Sequence, residues 1–184
     1  MIAGIAGLAV FTIVVILFYN RLVRLRYGAL QSWSDIDVHL KKRYELVPNL
    51  VETVKAYASH ENTTLTQVIE RRAMAMQAAT PGEKGRAEGM LAKTLKGLFA
   101  LVEDYPALKA DVHFQQLMTQ MRELEDNIEY ARRYYNAAVR DYNIVTEVFP
   151  SNIIASAFSF APEEFFELDV PDMERKQVAA RFVT

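Results

Sequence analysis

No cysteine occurs in the chain. That excludes disulfides, thiolate nucleophiles, iron–sulfur clusters, cysteine-ligated zinc and a lipid anchor on a thiol. Glycine and proline are sparse, seven and six in 184 residues, too few for a β-rich or disordered chain, so the sequence reads as all-α. Charge of one sign is also missing. The net charge of −2 supplies no basic field for nucleic acid, and the single basic run at Lys41, Lys42 and Arg43 is answered by acidic residues at 123–129. Signatures of phosphate chemistry are absent as well, since "GEKGR" has neither the spacing nor the setting of a phosphate-binding loop. "HENTT" lacks the second histidine of a zinc-protease helix. No pair of Glu-x-x-His segments offers a di-iron site.

A long apolar run is present at the N-terminus. Ile2 to Tyr19 (IAGIAGLAVFTIVVILFY) holds eighteen residues without a charge, eleven of them Leu, Ile, Val or Phe. As a helix it is about 27 Å long, close to a hydrocarbon core of roughly 30 Å. Nothing basic precedes it, while Arg21, Arg24 and Arg26 follow it, the reverse of a cleavable signal. The positive-inside rule then sets the N-terminus outside and the rest in the cytoplasm of a bacterial cell, with Tyr19 and Tyr27 at the interface. Residues 1–20 form the anchor, crossing the lipid bilayer through residues 2–19.

From residue 21 to 149 apolar positions recur at helical spacing, which predicts an elongated antiparallel bundle of about four helices, two long and two short. The first helix runs out of the membrane and carries Trp33, Ile36, Leu40, Tyr44, Val47, Val51 and Val54 on one face. Pro48 falls inside this period and predicts a kink rather than an end. A second helix follows Ser59. Thr80-Pro81-Gly82-Glu83 marks the start of a third, with a cap, a proline at the first position and a carboxylate three residues after the cap. Pro106 opens the fourth. There Phe114, Leu117, Met121, Leu124, Ile128, Ala131, Tyr135, Ala138, Tyr142, Val145 and Phe149 alternate by three and four, a period of 3.5 that marks a coiled-coil seam.

An antiparallel register whose facing residue numbers sum to about 168 joins the two long helices. It predicts a seam of Trp33, Leu40, Tyr44 and Val47 against Leu124, Ile128, Tyr135 and Tyr142. It also levels five opposite-charge pairs: Arg21 with Glu147, Arg26 with Asp141, Asp35 with Arg133, Lys42 with Asp126 and Arg43 with Glu125. Tyr135-Asn136 and Tyr142-Asn143 then read as helix interface rather than chemical site, with the asparagines on the flank. Residues 150–184 form an aromatic, acidic tail covering the membrane-proximal bundle end. Phe158, Phe160, Phe165 and Phe166 in it are read first as covering that end and second as the candidate partner or membrane surface.

Several stretches together resemble the LemA family. They are the apolar N-terminus followed by "YNRLVRLRYGALQSWSDIDVHLKKRYELVPNLVETVKAYASHENTTL", then "YPALKADVHFQQLM", "YYNAAVRDYNIVTEVFPSNIIASAF" and the closing "EEFFELD". The resemblance covers nearly the whole chain in order. It implies a bacterial single-pass membrane protein with a cytoplasmic helical domain, and it supplies no catalytic residues. Members are often encoded near membrane metalloproteases, and a relative takes part in magnetosome membrane formation, which implies a scaffold or adaptor role.

The leading reading is therefore a membrane-anchored scaffold acting through protein–protein contacts, not an enzyme, with self-association and a membrane protein such as a metalloprotease as partners. Ala3 and Gly7 supply one small-residue spacing for association in the membrane. The alternative is a regulatory subunit or sensor of a membrane protease or signalling protein. A third reading, a metal-assisted enzyme, would use Asp35, Asp37 and His39. No cofactor, metal or nucleic acid is assigned.

Overall fold

A computed structural model describes residues 2–168, with side chains from Ile5 onward, so the side chain of Ile2 and residues 169–184 of the tail lie outside the described set. Six helices and no strand occur among these residues: α1 Ile2–Tyr57, α2 Asn62–Gln77, α3 Pro81–Val102, α4 Pro106–Lys109, α5 Val112–Glu147 and α6 Ser151–Ala157. The fold is all-α, and four predicted helices become six for local reasons.

Helix α1 forms because its first third is uninterrupted aliphatic sequence and the remainder keeps an apolar face. It runs unbroken through Pro48. The lost N–H costs one internal bond, but Val47, Leu50, Val51 and Val54 on either side are all buried and hold the turn in place. Helix α3 starts as the sequence requires: the Thr80 hydroxyl accepts from the Glu83 N–H, and the Glu83 carboxylate accepts from the Thr80 N–H.

Pro106 does not open the second long helix. It starts a single turn, α4, and α5 begins after Asp111, whose carboxylate accepts from the Phe114 N–H at 3.0 Å. Asp111 competes with the backbone for that donor and so resets the helix start. Tyr57 donates to the same carboxylate at 2.9 Å, tying the end of α1 to this cap. The N–H of Phe114 and the Tyr57 hydroxyl hold the Asp111 carboxyl below the usual carboxylate range.

Helix α6 lies in the stretch read from sequence as tail. Its C-terminus is closed by a six-residue loop-back: the Phe160 N–H bonds the Ala155 carbonyl at 2.9 Å and the Ser159 N–H bonds that of Ser156 at 3.3 Å. Ser159 adopts φ 57, the left-handed position this motif requires.

The chain divides into two compact units, Met1–Val38 with Ile128–Phe165, and His39–Asn127 with Phe166–Thr184. In the first, α1 and α5 pair antiparallel: the Trp33 and Tyr135 rings lie 5.3 Å apart, and Leu22 packs in one buried cluster with Tyr142 and Val145. In the second, Leu40, Val47, Leu50 and Val54 of α1 are buried with Leu65 and Val68 of α2, Leu91, Leu95 and Leu98 of α3, and Met121 of α5. Each such side chain contributes about 1.5–3 kcal/mol relative to exposure.

Candidate functional site

Three features stand out from the packing: a largely exposed apolar helix end, two tyrosines and an asparagine that grip a strap, and a buried charge cluster.

The first is the start of α1. Ile5, Leu8, Val10, Phe11, Ile13, Ile16 and Leu17 are all exposed. The richest 18-residue window of this helix has a mean hydropathy of 2.0, and only 6% of that window is buried. Among the described residues this is the one helix long and apolar enough to cross a membrane. A helix end apolar all round and exposed on most of its surface suits an apolar solvent. Arg21, Arg24 and Arg26 are exposed just beyond it.

The second feature answers what Tyr135, Tyr142 and Asn143 do. After α6 the chain runs back without regular structure, and α5 holds it by three rungs. The Tyr142 hydroxyl donates to the Ala161 carbonyl at 2.9 Å, and the Tyr135 hydroxyl donates to the Glu164 carbonyl at 2.7 Å. Between them the Asn143 side-chain amide meets the Glu163 peptide edge-on. Its Nδ2 donates to the carbonyl at 3.0 Å and its Oδ1 accepts from the N–H at 2.9 Å. An extended peptide has no internal partners for these groups, so the amide supplies what a neighbouring strand would. Burial, with Glu163 and Glu164 adding to it, pushes the Tyr135 hydroxyl far above its ordinary pKa. Burial also raises that of Tyr142, against the opposing pull of Arg26. Both are therefore neutral donors at physiological pH.

Two expected ion pairs are replaced, the first by this strap. Arg26 pairs with Glu163 at 3.3 Å rather than with Asp141, because Asn143 fixes Glu163 beside it; Asp141 pairs with its neighbour Arg140 at 3.3 Å. Arg133 turns along its own helix to Glu129 at 3.8 Å rather than to Asp35. Both members are exposed, and an i,i+4 contact orders less side chain than one across helices. Arg43 does meet Glu125, at 3.3 Å.

The third feature lies in the second unit. Glu88 of α3 is fully buried and accepts from Arg43 at 3.2 Å and from the Tyr44 hydroxyl. Arg72 of α2 donates to the Tyr44 carbonyl at 2.6 Å, so three helices converge on one α1 turn. Burial pushes the Glu88 carboxyl above the usual range; Arg43, Tyr44 and Lys84 pull it back only in part, while Glu125 adds to the rise. This residue was not singled out from sequence, although its position gave a signal. Glu88 occupies the stripe continued by Leu91, Leu95, Leu98 and Val102, where a carboxylate is costly unless partnered.

The seam residues are otherwise placed as follows. Leu40, Tyr44, Val47, Ile128, Tyr135 and Tyr142 are buried, Trp33 is half-buried, and Leu124 is half-buried on the wall of a groove. That groove, about 410 Å³, runs between His39, Lys42 and Leu46 of α1 and Gln120, Glu123 and Asn127 of α5. A second, about 640 Å³, is lined by Phe99, Val102, Phe114, Met118 and Arg122. Among the described residues no group of three His, Asp or Glu side chains is placed to hold a metal ion.

Of the four phenylalanines expected on an outer surface, Phe158 and Phe165 are exposed and Phe160 is half-buried. Phe166 does not fit the outer-surface reading and fits a covering one. It is fully buried, and the chain after it runs so close to α3 that a Cβ on Gly85 would overlap the Glu167 backbone. Phe149 is a correction: its spacing predicts the last seam position, but α5 ends at Glu147 and Phe149, beyond that end, is exposed, as is Ile153, which was not singled out from sequence.

Comparison with known proteins places this architecture. Two curated relatives from Paramagnetospirillum magneticum strain AMB-1, Magnetosome protein MamQ 2 and Magnetosome protein MamQ 1, are each 24% identical over 193 residues, covering 91% of this chain and 71% of the relative. Magnetosome protein MamQ of Magnetospirillum gryphiswaldense strain MSR-1 is 24% identical over 189 residues, covering 89% of this chain and 70% of the relative. The model of the LemA family matches residues 32–182, most of the chain, and the chain belongs to that family.

Proposed function

We propose that this protein is a single-pass helical scaffold of the bacterial inner membrane. Its N-terminus is outside, its helical domain is cytoplasmic, and it acts through contacts with copies of itself and with other membrane proteins rather than by catalysis. One observation carries the reading: the exposed apolar run of α1 continues without a break into a helix whose later turns are packed in both units. An anchor that is one continuous helix with part of its domain ties that domain to the bilayer, which suits a structural role. The arginines that follow the run support the orientation.

The polar groups that first suggest chemistry support the same reading. Tyr135, Tyr142 and Asn143 are occupied by the strap, and Arg43, Tyr44 and Glu88 by one another. Exposed pairs at helical spacing, Tyr27 with Leu30 on α1 and Tyr130 with Tyr134 on α5, leave large apolar and aromatic side chains open for association. Likeness to proteins named for the magnetosome adds support for a place in membrane-associated assemblies.

The test is in-membrane crosslinking of the full chain carrying a photo-crosslinking residue at position 130 or 134. Adducts with a second copy, or with one membrane protein in fixed ratio, are expected. Only monomer, under conditions where the probe reacts with a known dimer, would refute the scaffold.

A further inference from the structure

The corner between α5 and α6 has an inner and an outer face. On the inner side Leu22, Tyr142, Val145, Ile154 and Ala155 form one buried cluster, with Val15, Phe18, Leu25 and Phe160 packed against it. Val15 and Phe18 belong to the apolar run that ends at Tyr19. Val15 lies four residues inside that end, about 6 Å along the helix axis. The cluster that contains α6 therefore reaches residues that a membrane span places at the level of the acyl chains. Tyr19, at the end of that run and still partly open, has its ring 4.9 Å from Phe158 and 5.7 Å from Phe160, both edge-on.

On the outer side the corner presents Phe149, 79% exposed, and Ile153, 60% exposed, with Val148 and Phe158 also open. From Tyr142 to Pro162 the only charged residue is Glu147. A largely uncharged corner with large apolar side chains outward, packed through its inner face on the end of a membrane span, fits one environment. We propose that Val148, Phe149, Ile153 and Phe158 form a second, monotopic membrane contact, seated at the headgroup–acyl boundary of the same bilayer that residues 2–19 cross. The depth set by Val15 matches the roughly 5–10 Å by which interfacial elements enter that boundary. Exposed Arg21 and Arg24 stand just beyond the span, where anionic headgroups lie.

The proposal rests on the reading of residues 2–19 as a span, and the experiment separates the two. Trp33 is the only tryptophan, so Trp33→Phe gives a chain free of indole emission. Into it are introduced Phe149→Trp, Ile153→Trp, Val10→Trp for the span, and Tyr134→Trp for an exposed point on α5. Each full-length chain is reconstituted in phosphatidylcholine–phosphatidylglycerol vesicles, with plain acyl chains or with bromine on them. If the Trp33→Phe chain does not fold, the same comparison is read as a difference with Trp33 retained.

Bromine is expected to reduce emission several-fold from the indoles at 149, 153 and 10, and to leave that at 134 unchanged. Quenching at 10 with none at 149 or 153 overturns the second contact and leaves the span standing. A blue-shifted but unquenched indole at 149 also overturns the lipid contact and points to a covering protein instead. No quenching at 10 removes both readings.

Discussion

Replacing Asn143 by alanine should free the strap while leaving the helices folded. The substitution removes both bonds between the side-chain amide and the Glu163 peptide, at 3.0 and 2.9 Å. Each such bond contributes about 0.5–1.5 kcal/mol net, so local opening of residues 160–165 becomes easier by about 1–3 kcal/mol. The middle of that range is about 30-fold in the open population. Cleavage after Glu163 or Glu164 by a glutamate-specific protease reads that population directly when opening is fast relative to cutting. The full-length protein in detergent is digested over time and fragments are followed by mass. Tyr142→Phe removes one rung, the bond to the Ala161 carbonyl, and should accelerate the same cuts about five-fold. Unchanged cleavage in Asn143→Ala would refute the role given to the asparagine. Equal acceleration after Glu70 in α2 would refute its locality, since global unfolding would then be the cause.

Tyr135→Phe should flatten the loss of stability at alkaline pH. Because the folded-state pKa of Tyr135 lies above its unfolded value of 10.0, its contribution is complete below pH 10 and is lost as pH rises beyond it, so denaturant midpoints of parent and variant should converge there. Glu88 titrates in an acid window by the same logic. Its folded pKa is raised above 4.5, so the parent loses stability as pH rises from 4.5 through that higher value, and Glu88→Gln should gain relative to the parent over that rise by urea titration. Arg43→Met should cost about 3–5 kcal/mol at neutral pH, less in acid, because it leaves Glu88 buried without its cation. Ser159→Gly should raise the thermal midpoint through about 0.5–1 kcal/mol, since glycine holds the left-handed φ 57 without strain.

Much of the fold is legible because it rests on periodicity and local caps. The three-and-four alternation through Ile128, Tyr135 and Tyr142 locates the buried face of α5, and Thr80 with Glu83 locates the start of α3. The antiparallel sum that brings Trp33 against Tyr135 also brings Arg43 to Glu125, because both follow from packing one continuous stripe on another. Legibility ends where irregular backbone enters. Nothing in the spacing of Tyr142 and Asn143 says that their polar ends hold an extended peptide, and once Glu163 lies there it outcompetes Asp141 for Arg26. Phe166 carries the same aromatic signal as Phe165, yet one is buried and the other open, since an irregular strap has no period to predict its faces. Glu88 was legible in principle as the one carboxylate in an apolar stripe.

The anchored, inward-facing topology is the claim on which the proposed function depends. The chain contains no cysteine, so a single Ser34→Cys at an exposed position of α1 gives a clean target for a membrane-impermeant maleimide. The measurement is labelling of the full-length protein in bacterial spheroplasts before and after permeabilisation. The expected result is protein in the membrane fraction that is labelled only once the membrane is opened; equal labelling of intact spheroplasts, or recovery in the soluble fraction, would contradict that topology.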